Sequence, residues 1–128
     1  AYHAGFNSSL FYNQIDTLVT GIKKANPNAS IILTTPPDSF RKSKKGRIKN
    51  KDMKNASIII VDYCLQHNLS FWNFYEIMGG FGSIAKWYAV GLASKDKVHF
   101  SGKGYLIQGD LFYKALMNGY QKYLKTKN

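Results

Sequence analysis

Ser30-Ile31-Ile32-Leu33-Thr34-Thr35-Pro36-Pro37 is a short, continuously apolar and β-branched run closed by two prolines. Such a run is expected of a parallel strand buried on both faces, whereas a strand with one wet face alternates. The prolines stop it because neither offers an N–H to a ladder. Upstream, Phe11, Ile15, Leu18, Val19 and Ile22 recur at helical spacing behind a capping Asn7 or Ser8, and Asn26-Pro27 ends that helix. Downstream, Met53, Ala56, Ile60, Cys64 and His67, with Ile59 and Tyr63 beside them, predict a second helix closing at Asn68-Leu69-Ser70. A second strand is predicted over residues 71–74. Beyond the glycine-rich Gly79-Gly80-Phe81-Gly82 comes a short helix over residues 83–90. Ser101 then caps a long final helix with Tyr105, Phe112, Ala115, Leu116 and Tyr123 on its apolar stripe.

Strands alternating with helices predict an α/β fold with right-handed crossovers and a parallel sheet. Two strands alone leave backbone groups unpaired and faces uncovered. A further N-terminal portion of the domain is therefore expected, and without it the chain should associate with itself. No internal repeat or domain boundary interrupts residues 1–128.

The chain has 128 residues, of which 45% are apolar and 15% aromatic, enough for a real core. No eighteen-residue apolar run exists, and Ala1 to Gly5 lacks the basic and apolar regions of a signal peptide. The single Cys64 lies on an apolar helical face and reads as a buried structural thiol. The net charge is +11, much of it in Arg41, Lys42, Lys44, Lys45, Arg47, Lys49, Lys51 and Lys54. This run reads as a solvated loop or as a polyanion contact, to nucleic acid or acidic polysaccharide. No aromatic within it stacks a base, and no nucleic-acid-binding signature accompanies it, so nucleic acid is disfavoured.

Chemistry concentrates in Asp96-Lys97-Val98-His99, on a loop running into the last helix. A serine hydrolase needs an imidazole to take the hydroxyl proton and a carboxylate on the other ring nitrogen to fix its tautomer. Asp-x-x-His supplies both from one turn. No Gly-Asp-Ser, Gly-x-Ser-x-Gly or Gly-x-Asn-Asp precedes it.

Together with the stretch ending in Pro36-Pro37-Asp38-Ser39, the stretch Phe71-Trp72-Asn73-Phe74-Tyr75-Glu76-Ile77-Met78-Gly79-Gly80-Phe81-Gly82-Ser83-Ile84, then Trp87 and Gly91-Leu92-Ala93, this loop resembles the C-terminal part of an SGNH (GDSL-like) hydrolase. The resemblance covers residues 1 to about 123. It implies a flavodoxin-like three-layer α/β/α fold with a parallel sheet whose N-terminal strands are absent here. It also implies an ester hydrolase, with His99 and Asp96 carrying over as the acid-base pair. The serine and oxyanion-hole blocks would lie before Ala1-Tyr2, so this chain alone is expected to be inactive. Acyl groups on carbohydrate are the implied substrate class, a periplasmic or secreted location is implied, and no metal or organic cofactor is. The rival expectation is a small basic module binding a polyanion through residues 41–54.

Other candidates read two ways. Asp38 contacts substrate or closes a turn, the turn being favoured. Gly79 and Gly80 let substrate approach backbone or permit tight bends. Trp72 and Trp87 are sugar platforms or, more commonly for the residue type, core. His67 suits packing or helix-dipole compensation, and His3 has no motif around it. Ser83 is no nucleophile elbow, since Ala85 stands where the second glycine belongs, and Pro37 spoils Asp38-Ser39 as a Gly-Asp-Ser mimic.

Overall fold

The computed structural model describes residues 5–127, so His3 lies outside the described residues. Helix α1 (Ser8–Ala25) is capped by Asn7, whose side chain accepts from the Leu10 N–H. Strand β1 (Ile32–Thr34) follows, then β2 (Phe40–Ser43), β3 (Gly46–Lys49), α2 (Lys51–His67) and β4 (Ser70–Trp72). The chain continues as α3 (Phe74–Ile77), α4 (Ser83–Ala89) and α5 (Gly102–Thr126).

Strand β1 pairs in parallel with β4, Leu33 opposite Phe71, as the apolar run at Ile31 to Leu33 requires. The α/β architecture with a parallel sheet is the fold the sequence predicts. The boundaries shift locally. Phe74 belongs to α3, because Asn73 accepts from the Glu76 N–H and starts a helical turn where the strand was expected to continue. The basic run is an antiparallel hairpin rather than a loop, with Arg41 opposite Ile48 and Lys42 opposite Arg47. Gly46, at φ 103°, provides the left-handed turn residue that lets it fold back.

Two clusters make the core. Ile15 and Val19 of α1 meet Ile60, Tyr63 and Cys64 of α2 on one side of the sheet. The buried Tyr63 hydroxyl donates to Asp16 Oδ1 at 2.8 Å, and burial and that carboxylate push its pKa up to about 12. Trp72, Phe74, Met78, Ile84, Ala93 and Phe100 form the second cluster, with Leu111 and Phe112 of α5 packed against it. Trp72 stacks on Phe74 and Trp87 donates to the Met78 carbonyl at 2.9 Å, so both tryptophans serve the core. His67 stacks on Tyr63, the packing role expected of it.

Among the described residues β1 has no second neighbour, and Ile32 is 44% exposed. Leu116, Tyr120 and Leu124 of α5 and Leu18 of α1 are likewise exposed. A groove of about 390 Å³ opens between α5 and the sheet, lined by Ile32, Phe71, Trp72, Phe112 and Leu116. No helix among the described residues is long and apolar enough to cross a membrane.

Candidate active site

The loop between α4 and α5 is closed by an isolated antiparallel bridge of Ala93 with Phe100. Inside it, the Ser94 N–H donates to the His99 carbonyl at 2.8 Å and the Lys97 N–H to the Ser94 carbonyl at 2.9 Å. Lys97 turns the chain with a left-handed φ of 51°, which costs a non-glycine residue about 1 kcal/mol or more. Two contacts hold it there. Its carbonyl accepts from the Phe40 N–H at 2.8 Å, and its ammonium lies over the rings of Phe40 and Tyr88.

This turn brings Asp96 onto His99. Oδ2 meets His99 Nδ1 at 2.7 Å, while Oδ1 accepts from the N–H groups of Val98 (2.9 Å) and His99 (3.1 Å). One carboxylate thus shapes the loop with one oxygen and orients the imidazole with the other. The His99 side-chain bond, then the His99 and Val98 N–H groups, hold the Asp96 carboxyl well below the usual carboxylate range. A depressed folded-state pKa means the contribution is present above the ordinary carboxylate value and is lost as pH falls toward the lowered one. The His99 side chain is 68% exposed, and Nε2 has no hydrogen-bond partner among the described residues. An oriented imidazole with a free ring nitrogen can accept a hydroxyl proton from a group brought to it.

Among the described residues no serine hydroxyl is hydrogen-bonded to Nε2. Ser101 Oγ donates to the Gly91 carbonyl at 2.8 Å while capping α5, Ser83 is buried at the start of α4, and Ser39 is buried beside Asp38. Nor do three His, Cys, Asp or Glu side chains gather to hold a metal ion among the described residues.

Asp38 is 0% exposed, which argues against the substrate contact weighed for it beside the favoured turn. Nor does its side chain close a turn of its own loop. Oδ2 accepts from the Ile84 N–H of α4 at 3.1 Å, its own N–H points at Met78 Sδ, and Oδ1 has no partner. The signal was available in part: the N–H groups opening α4 have no side-chain cap of their own, because Gly82 stands at the cap position. Gly79 and Gly80 adopt φ of 122° and 75°, so both are required by the bend between α3 and α4. A Cβ on Gly79 would stand 2.9 Å from Ser83 Cβ. Thr35, not singled out from sequence, ties the end of β1 to α3: its hydroxyl accepts from the Tyr75 N–H at 2.9 Å.

Burial raises the Asp38 carboxyl above its ordinary value, against the pull of the Ile84, Gly82 and Ser39 N–H groups and Lys49. A raised folded-state pKa means Asp38 favours the fold most below its unfolded value and progressively less as pH rises through the folded one. Asp38→Asn keeps the oxygen for Ile84 without the charge. The urea midpoint of the wild-type chain minus that of the variant should therefore fall as pH rises from about 4, the ordinary carboxylate value. A difference that is flat or rises with pH would contradict a carboxyl strained by burial.

Helices alternating with a parallel strand pair define an α/β fold. The chain superimposes on a peptidoglycan O-acetylesterase with a TM-score of 0.82 and 22% identity, over 94% of this chain and 35% of that one. It also superimposes on the esterase domain of the ORF1 protein of the zebrafish ZfL2-1 retrotransposon, with a TM-score of 0.66 and 17% identity, over 88% of this chain and 61% of that one. The chain thus spans about a third of the first neighbour's length. No sequence-family model and no curated protein matches it.

Proposed function

We propose that this chain is the C-terminal segment of an SGNH-type serine esterase, contributing the acid-base half of its active site. The observation that carries the reading is the 2.7 Å contact of Asp96 with an exposed His99, within a fold shared with two esterases. The serine and the oxyanion donors belong to residues N-terminal to this chain, which also supply the remaining strands beside β1 and cover the apolar faces of α1 and α5.

In the assembled site, His99 Nε2 takes the serine proton as Oγ bonds to the ester carbonyl carbon, and Asp96 stabilises the imidazolium. Collapse of the tetrahedral intermediate breaks the bond to the alcohol, which leaves with the proton from His99. Water, deprotonated by the same imidazole, then releases the acid from the acyl-enzyme. Short acyl groups on carbohydrate are the substrate class we favour, and an extracytoplasmic location accords with the peptidoglycan-directed neighbour.

The test compares this chain with a version extended upstream through its serine block, using p-nitrophenyl acetate. Loss of a single oxyanion donor typically costs about a hundredfold or more in turnover. With nucleophile and donors all absent, the 128-residue chain should show no fluorophosphonate-sensitive turnover, while the extended protein should. Fluorophosphonate-blocked turnover by the short chain would mean that one of its own serines is the nucleophile.

A further inference from the structure

The basic hairpin is joined to the acid-base loop, not merely near it in sequence. Phe40 opens β2, its N–H bonds to the Lys97 carbonyl, and its ring lies 5.0 Å beneath the Lys97 ammonium. Side chains alternate along a strand, so Phe40 shares a hairpin face with Lys42 and with their cross-strand partners Lys49 and Arg47. That face therefore runs from the acid-base loop outward through three hairpin cations. Lys49 lays the end of its side chain across Gly82 with its ammonium 5.4 Å over the Phe81 ring, so Lys42 and Arg47 are the outward-reaching cations of the face.

Lys49 feels the buried Asp38 carboxyl, but Lys42 and Arg47 have no such counterpart among the described residues. Lys42 and Arg47 stand directly opposite each other, an arrangement that disfavours an antiparallel pair when nothing neutralises it. Among the described residues the ion pairs are Asp96 with His99 and Asp110 with Lys114, so no carboxylate pairs with the hairpin. Nor does the face present an open ring for base stacking: Phe40 is half-buried under Lys97, and the neighbouring exposed Phe81 has the Lys49 ammonium over its ring. A row of cations without a stacking platform suits a chain of carboxylates better than a nucleic acid.

We propose that the hairpin face of Lys42, Arg47 and Lys49 is a docking surface for an anionic polysaccharide, guiding it toward the Asp96–His99 loop; the destination rests on the esterase reading, the docking does not. Binding needs no serine, so the 128-residue chain is the test object. The probe is polygalacturonate, with dextran as the neutral control and a poly-dT oligonucleotide as the competing polyanion, measured at 50 and 200 mM salt. The exposed positions permit K42Q/R47Q, and K122Q/K125Q on α5 removes equal charge elsewhere; far-UV circular dichroism checks both folds.

K42Q/R47Q should weaken polygalacturonate about tenfold and flatten its salt dependence, with K122Q/K125Q close to wild type. Equal losses in the two variants, or dextran binding as well as polygalacturonate, would overturn the surface. Tighter binding of poly-dT through the same residues would replace the polysaccharide by nucleic acid. Hairpin-dependent polygalacturonate binding alongside an extended protein without esterase activity would leave the docking face standing and remove the esterase reading.

Discussion

His99→Ala in the upstream-extended protein should lower kcat/KM toward p-nitrophenyl acetate by at least about 10⁴-fold, with Asp96→Asn approaching the same loss. The two effects have different origins. Removing the imidazole removes the group to which the proposed mechanism assigns the serine proton. Removing the carboxylate leaves the imidazole without the partner that keeps Nδ1 protonated and Nε2 free. Because Oδ1 also holds the Val98 and His99 N–H groups, Asp96→Asn retains one acceptor oxygen and is a better probe of orientation than Asp96→Ala, which would also release the loop. Single-turnover acylation followed by stopped flow separates the chemistry from folding, and circular dichroism checks the loop's host fold. If His99→Ala keeps a tenth or more of wild-type activity, the general base lies elsewhere and the half-site reading fails.

The features that were legible in the sequence are those whose physics is local. Ser30 to Thr35 reads as a parallel strand because its apolar pattern and its closing prolines lie within eight residues, but the burial on both faces expected of it is not met at Ile32 and Thr34. Asp96 and His99 read as a pair because one turn connects them. What escaped depends on partners distant in sequence. The basic run looked like a solvated loop because eight cations mask a weak alternation, and the pairing of Arg41 with Ile48 emerges only when Gly46 reverses the chain. Asp38 looked like a turn residue because the uncapped α4 that claims its carboxylate begins more than forty residues later. On the apolar stripe of α5, Phe112 packs against the second core cluster while Tyr105, Leu116 and Tyr123 are exposed. Periodicity reports that a face is apolar but not what covers it.

Gly104→Ala should destabilise the chain by about 3 kcal/mol, although alanine is the better helix former. Gly104 is the buried residue of α5, where the helix crosses the Leu92 backbone. A Cβ there would collide with the Leu92 carbonyl oxygen and stand 3.1 Å from Phe100 Cβ. Neither neighbour can give way cheaply. The Leu92 carbonyl accepts from the Ser101 N–H at 3.1 Å, and Phe100 is buried in the second core cluster. Relief would have to come from α5 lifting away, which strains the Ser101 cap and the bridge of Ala93 with Phe100. His99 is the residue next to that bridge, so the same substitution should lower the activity of the extended protein. Gly109→Ala is the control within the same helix: an added Cβ meets nothing within 4 Å, and the change should stabilise by about 0.5–1 kcal/mol through helix propensity alone. Urea midpoints moving in opposite directions for the two variants would establish that α5 is seated by close backbone approach at Gly104. Equal stabilisation by both would show that the helix does not pack there, and the orientation of the acid-base loop would then need another support.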